Sequence, residues 1–171
     1  RTMDASEVYS KKDVIVRQGI IGRREGILKT DGKVEAKFIE NCYVEAEGAV
    51  SVEVGIINSS VHTLDRVDLG HKGVITGGEV FAQNGVTATQ LGSQSGTATS
   101  IHCGIDYSVE QRLEWIRDRN IELAMKLSRI REEIKRSTTA DPALVELRDK
   151  LQAAIRKMND SAAGLVGRLD R

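Results

Sequence analysis

Asp31-Gly32-Lys33-Val34-Glu35-Ala36 is answered in the next stretch of chain by Glu47-Gly48-Ala49-Val50-Ser51-Val52. Each phrase opens on an acid and a glycine, then alternates an apolar residue with a polar or small one, as a short strand does after a corner. Outward from these phrases, their valines belong to a column of Val16, Val34, Val50, Val67 and Val86, spaced by 18, 16, 17 and 19 residues. A second column is Ile21, Ile39, Ile56, Val74 and Leu91, with spacings of 18, 17, 18 and 17. The third is Ile27, Val44, Val61 and Val80, with spacings of 17, 17 and 19. Three interleaved columns at a common period predict a repeat that turns three corners per coil.

A parallel β-helix satisfies that pattern, with about five coils and three short strands per coil. Each strand bonds to its equivalents above and below, and its inward side chain stacks on theirs. Corners between strands favour glycine or a small polar residue, where positive φ or close backbone approach excludes bulk. Gly73, Gly77, Gly78, Gly92, Gly96 and Gly104 are the predicted turn positions. Asn41, Asn58, Thr76 and Ser93 form a further column, two residues past the second apolar one, that could stack as a hydrogen-bonded ladder.

Beyond Asp106 the rule changes. Fourteen of the 16 glycines lie before it, and Leu, Arg, Glu and Ala dominate after it. Leu113, Ile116, Asn120, Leu123, Leu127, Ile130 and Ile134 alternate spacings of three and four, a heptad seam. After the polar stretch Ser137 to Asp141 comes a looser seam of Leu144, Leu147, Leu151, Ile155, Met158, Ala162 and Leu165. Asp141 reads as an N-cap and Pro142 as the first helical residue. A short polar link between helices of matched length predicts an antiparallel two-helix coiled coil, pairing Leu127 with Leu151, Asn120 with Met158 and Leu113 with Leu165. The chain thus divides into a solenoid over 1–106 and a helical hairpin over 107–171, a mainly β protein with α.

Charge and composition narrow the function. Lys plus Arg and Asp plus Glu are both 25, which leaves no net field to gather nucleic acid, and aromatic residues at 4% leave few platforms for stacking bases. Residues 1–106 carry 11 basic and 14 acidic side chains, a net charge of −3, so the remainder carries +3. No apolar run is long enough to span a bilayer and no signal peptide precedes the repeats. Cys42 and Cys103 are far apart and read as reduced, buried thiols of a cytoplasmic protein. Arg1 in place of an initiating Met, and helical patterning that runs almost to Arg171, make both ends look cut from something longer.

The residues that could carry chemistry do not assemble by spacing. His62, His71, His102 and Cys103 match no metal-ligand pattern, and read as surface histidines and a core thiol. Cys42 has no His or acid placed beside it by the repeat. Glu35, Glu53, Asp65 and Asp68 resemble a solvated outer face more than the acid groove of a polysaccharide enzyme, because the corners are short. An irregular five-to-seven-residue step argues against a hexapeptide acyltransferase. Gly73-Val74-Ile75-Thr76-Gly77-Gly78 has a phosphate loop's glycines but no Lys-Ser/Thr and no helix after it. Asn120 in the seam trades stability for register. The expectation is a non-enzymatic scaffold without metal or cofactor, with core columns Val34, Ile39, Val44, Val50, Ile56, Val61, Val67, Val74, Val80, Val86 and Leu91.

The stretch from His71 to Asp106 carries a resemblance. His71-Lys72-Gly73-Val74-Ile75-Thr76-Gly77-Gly78-Glu79-Val80, then Leu91-Gly92-Ser93, Gly96-Thr97-Ala98-Thr99 and Cys103-Gly104-Ile105-Asp106, resembles the flagellar assembly protein A family. Gly19 to Ile21 and Glu47 to Val61 look like that family's earlier coils, and helices follow the solenoid where the family places them. The resemblance implies a bacterial cytoplasmic protein, a right-handed β-helix shaped like the C-terminal domain of the cell-division inhibitor MinC, and a role in flagellar assembly or its regulation. It implies no catalytic residues. Protein partners are expected, with no nucleic acid and no membrane insertion, and a homo-oligomer fits. The alternative reading is a polymer-forming or division-related solenoid akin to MinC or the bactofilins.

Overall fold

Among the described residues ten strands pair in parallel and wind into a solenoid of about five turns, followed by two helices. The computed structural model describes residues 2–94, 96–136 and 141–169. Its strands are β1 (Met3–Asp4), β2 (Glu7–Ser10), β3 (Val14–Thr30), β4 (Val34–Ala46), β5 (Val50–Thr63), β6 (Val67–Leu69), β7 (Val74–Ala82), β8 (Val86–Thr87), β9 (Gln90–Leu91) and β10 (Thr99–Cys103). The chain separates into two units, Arg1–Tyr107 and Ser108–Arg171.

Three inward columns hold the solenoid. Val34, Val50, Val67 and Val86 are in register, as are Ile20, Ile39, Ile56, Ile75 and Leu91, and Leu28, Val44, Val61, Val80 and Ile101. From Leu28 to Val80 and from Ile20 to Ile75 these side chains are fully buried, each contributing about 1.5–3 kcal/mol by leaving water. Four positions differ from the sequence reading by one or two residues. Val14, not Val16, faces Val34; Ile20 replaces Ile21; Leu28 replaces Ile27; and Ile75 replaces Val74, which is half-buried opposite Gly55. At each place another apolar residue stands next to or two before the one expected, and the pleat decides which points inward. Val86 is half-buried and Leu91 is 57% exposed, because among the described residues no strand stacks beyond them.

The three sides of a coil are not separate strands throughout. β3, β4 and β5 run through their corners as single bent strands. The bend is taken by left-handed residues, Arg23 and Arg24 in β3, Asn41 in β4, Asn58 in β5 and Gly77 with Gly78 in β7. Asn tolerates this conformation better than most residues, so the expected Asn column is a corner column. Thr76 lies opposite Ile57 rather than Asn58, and the Asn41 amide donates to neighbouring Glu40 at 3.2 Å. A Cβ on Gly78 would come within 2.2 Å of the Ser59 carbonyl. Gly92, Gly96 and Gly104 also have positive φ, whereas Gly73 does not; a Cβ there would meet Leu69 at 2.2 Å. Buried Thr30 and Thr63 close other corners, donating to the carbonyls of Lys12 and Gly48 at 2.6 and 2.7 Å.

In the second unit, α1 (Tyr107–Arg136) and α2 (Pro142–Leu169) are both amphipathic. Ile116, Leu123 and Leu127 are buried on α1, and Leu113, Asn120, Ile130 and Ile134 half-buried. On α2, Leu144, Leu151, Ile155, Met158, Ala162 and Leu165 are half-buried, but Leu147 is 45% exposed, with Val145 and Arg148 flanking the seam instead. The Asn120 amide donates to Asn159 Oδ1 at 2.8 Å, one residue past the expected neighbour Met158. Asp141 Oδ1 accepts from the Ala143 N–H at 2.9 Å, ahead of Pro142. The rest of the expected link, Ser137 to Ala140, lies outside the described residues. No described helix is long and apolar enough to cross a membrane.

Candidate functional site

The polar and aromatic side chains that gather most closely lie on the outer surface of one solenoid side, where β3, β4, β5, β7 and β10 stack. Because Val44, Val61, Val80 and Ile101 point inward, the residues on either side of each point out. One outward row is therefore Lys29, Glu45, His62, Phe81 and His102, and its neighbour is Ile27, Tyr43, Ser60, Glu79 and Ser100.

Rings stack along the first row. His62 and Phe81 lie 4.8 Å apart with planes 8° from parallel, and Phe81 and His102 lie 4.3 Å apart at 6°. Tyr43 and Tyr107 meet His62 from two directions, each with centroids at 5.2 Å. The strand spacing of a parallel sheet is close to a favourable ring separation, so rings at equivalent positions of successive coils stack without further adjustment. At the first end of the row Lys29 Nζ pairs with Glu45 at 2.7 Å and sits over the Tyr43 ring, while the Tyr43 hydroxyl donates to Glu45 at 3.0 Å. Its hydrogen bond to the Glu45 carboxylate, which accepts from Nζ, holds Lys29 above the usual lysine range.

Ser60, His62 and Glu79 invite a catalytic reading, and their geometry opposes it. Ser60 Oγ donates to Glu79 at 2.9 Å and lies 2.8 Å from His62 Nε2. With its one proton given to the carboxylate, the serine accepts from Nε2–H and is not deprotonated by the imidazole. The acid sits on the serine rather than on the histidine, the reverse of a triad. Nδ1 of His62 is buried without a hydrogen-bond partner among the described residues, and burial lowers the pKa of the ring, keeping it neutral. Tyr107 is buried too, and its hydroxyl is pushed above the usual phenol range by desolvation.

The other sequence candidates are dispersed. His62 is 7% exposed rather than a surface histidine, while His71 stands away from the row and lends its carbonyl to the Thr89 hydroxyl. Cys103 is exposed, not buried, since it lies on the last strand at the edge of the solenoid. Cys42 is buried, its thiol pushed up to about 11 by desolvation and donating to the Gly26 carbonyl, so it stays protonated at neutral pH. Glu35 and Asp68 share an outward row with Ser51, and Glu35 pairs with Lys33 at 2.9 Å. Asp65 sits elsewhere, accepting from Asn84 at 3.0 Å. Among the described residues no three His, Cys, Asp or Glu side chains gather as a metal site.

Tyr43, Ser60, Glu79, Phe81 and Tyr107 were not candidates by sequence. The signal was present one position past the third column, where Glu45, His62, Phe81 and His102 each follow an inward residue. A family model described as the flagellar assembly protein A β-solenoid domain matches residues 2–170. No curated protein and no solved structure matches the chain.

Proposed function

For a chain that belongs to the flagellar assembly protein A family, we propose a non-catalytic role: a rigid cytoplasmic scaffold that docks protein partners during flagellar assembly or its regulation. The observation that carries this is the family match, which extends over both the solenoid and the helices. The fold agrees with it, because stacked coils give broad outer faces whose side chains are fixed by the backbone spacing. Serine, histidine and acid meet there in an order suited to structure rather than nucleophilic attack. The hairpin, read as an antiparallel pair from the Asn120–Asn159 contact, offers a second stiff docking element.

Tagged full-length protein, captured from growing bacterial cells, tests the reading by what accompanies it. Flagellar export or polar-placement proteins, lost when the solenoid face is altered, are the expected result. Division proteins in their place would favour the MinC-like alternative. A turnover reaction abolished by Ser60→Ala would overturn the non-catalytic part.

A further inference from the structure

Four coils turn one corner alike. The carbonyls of Lys33, Ala49, Arg66 and Gly85 accept from the N–H groups of Val14, Val34, Val50 and Val67, each in the coil before. The fourth corner alone is built from Asn84-Gly85, and the sequence holds no other Asn-Gly pair. Of the four residues only Gly85 has positive φ, at 105°. Asn84 is exposed, with its side-chain amide donating to Asp65 Oδ1 at 3.0 Å and its backbone N–H to the Asp65 carbonyl at 2.8 Å. The Gly85 N–H is held less well, by the Ala82 carbonyl at 3.4 Å, and a Cβ on Gly85 would have nothing beyond its chain neighbours within 4 Å. A loosely held backbone nitrogen in open space thus directly follows an exposed asparagine.

We propose that Asn84-Gly85 is a self-modification site, at which Asn84 deamidates through a succinimide and sets a second carboxylate against Asp65. The Gly85 nitrogen bonds to the side-chain carbonyl carbon of Asn84, and the bond from that carbon to the side-chain nitrogen breaks. The leaving group takes the Gly85 amide proton and departs as ammonia. Solvent water then opens the imide ring at either carbonyl, giving an aspartate in the normal backbone or an isoaspartyl linkage. Asp31-Gly32, at the first of these corners, could close the same ring by losing water. There, however, the Gly32 N–H is held by Thr30 Oγ1 at 3.1 Å, and a Cβ would strike the Asp13 nitrogen at 2.4 Å.

The consequence lies between coils. Before the reaction an amide donor meets a carboxylate acceptor, and afterwards two carboxylates, which only accept, face each other across the corner. Arg66 Nε stands 3.6 Å from Asp65 Oδ1, but both side chains are solvated and the pair offsets little. The isoaspartyl form also lengthens the main chain by one carbon just before Gly85. The Gly85 carbonyl holds the Val67 N–H at 3.0 Å, and Val86 directly after it is in register with Val67. Deamidation therefore loosens the corner that seats β8 on β6.

The folded 171-residue chain, incubated in mildly alkaline buffer and then digested with trypsin, tests this by mass spectrometry. Cleavage after Lys72 and Arg112 leaves a peptide in which Asn84 is the sole asparagine. Over the time in which the urea-unfolded chain is converted, that peptide from the folded chain should gain one dalton, placed at Asn84 by fragmentation. Asn84→Gln, which would have to close a larger and slower-forming ring, should abolish the gain. An Asn84 that keeps its amide in the folded chain while the unfolded chain converts would overturn the proposal, as would a gain that survives Asn84→Gln. Asn84→Asp carries the charge of the product, and should lower the melting temperature by about 3 °C. Combining it with Asp65→Asn exchanges amide and acid and should restore the melting temperature. If Asn84→Asp melts with the unsubstituted chain, or the exchange restores nothing, the second carboxylate does not loosen the corner and that part of the proposal falls.

Discussion

The solenoid and the helical unit bury apolar side chains in opposite ways. In the solenoid, residues one coil apart in sequence stack directly, and from Leu28 to Val80 a whole column is closed to solvent. In the helices, apolar residues three and four apart share a stripe, and only Ile116, Leu123 and Leu127 of the seam are buried. A middle coil is held from above and below, whereas a helix seam residue has one partner surface. A defect should therefore be felt across several coils in the first case and within a turn or two in the second.

The sharpest way to break that contrast is a charge in a column. Ile56→Asp or Val67→Asp puts a carboxylate where neither water nor a partner reaches it, at a cost of more than about 4 kcal/mol. Thermal melts should show loss of the solenoid in both variants. Glu35→Ala and Asp68→Ala, on the outward row, should change stability by less than about 0.5 kcal/mol. Equal losses in the two classes would mean that inward and outward faces have been misassigned.

Next in size is a corner. Gly78→Ala must hold a side chain at φ 79° with its Cβ against the Ser59 carbonyl, and Ser59 belongs to the coil before. The cost should be about 3 kcal/mol, measured by urea titration. Gly92→Ala has a similar φ but open space around its Cβ, so it should cost only about 1 kcal/mol. Similar costs for the two would remove close packing between coils as the reason for Gly78.

How much of this could be read in the sequence follows from the same contrast. The period was legible because valine and isoleucine recur where the inward residue has no large apolar neighbour directly beside it, as at Val34, Val50 and Val67. It failed at Ile20-Ile21, Ile27-Leu28 and Val74-Ile75, where two apolar neighbours compete and only the register settles which points inward. The register itself shifts between Val16 and Gly19 and between Ile21 and Gly26, which spacing alone does not reveal. The ring row was hidden for another reason. Its members Glu45, His62, Phe81 and His102 share no chemical class, so only alignment on the inward column brings them together. The helices were readable at their starts and seams, where Asp141, Pro142 and the heptad act locally, but Leu147 is turned outward by packing that no spacing rule contains.

A smaller effect is expected in the helical unit. Leu127→Ala should lower its melting by about 2 kcal/mol and leave the solenoid signal unchanged. Asn120 and Asn159 act in the other direction, since Asn120 Oδ1 is buried without a hydrogen-bond partner among the described residues. Replacing both by Leu should raise helix stability by about 1 kcal/mol, at the expense of a fixed register. Cysteines at Leu113 and Leu165 would report that register by crosslinking within one chain. Crosslinks formed only between chains would sink the hairpin and make the helices an oligomerisation element.

The smallest effect separates the buried row from the exposed faces by pH. Burial lowers the pKa of His62 below its ordinary 6.5, so the unfolded chain binds a proton there more readily than the folded one. Stability is then fully present above about pH 6.5 and falls as the pH drops toward the folded value, because the unfolded state takes up the proton first. His62→Phe keeps a ring between Tyr43 and Phe81 but removes the titrating group. It should flatten the slope of stability between pH 7 and 5, at the cost of the hydrogen bond to Ser60 and so of roughly 1 kcal/mol at neutral pH. If chemical denaturation shows the same acid dependence with and without His62, the ring is not the group that titrates, and its burial contributes nothing to the pH response of the solenoid.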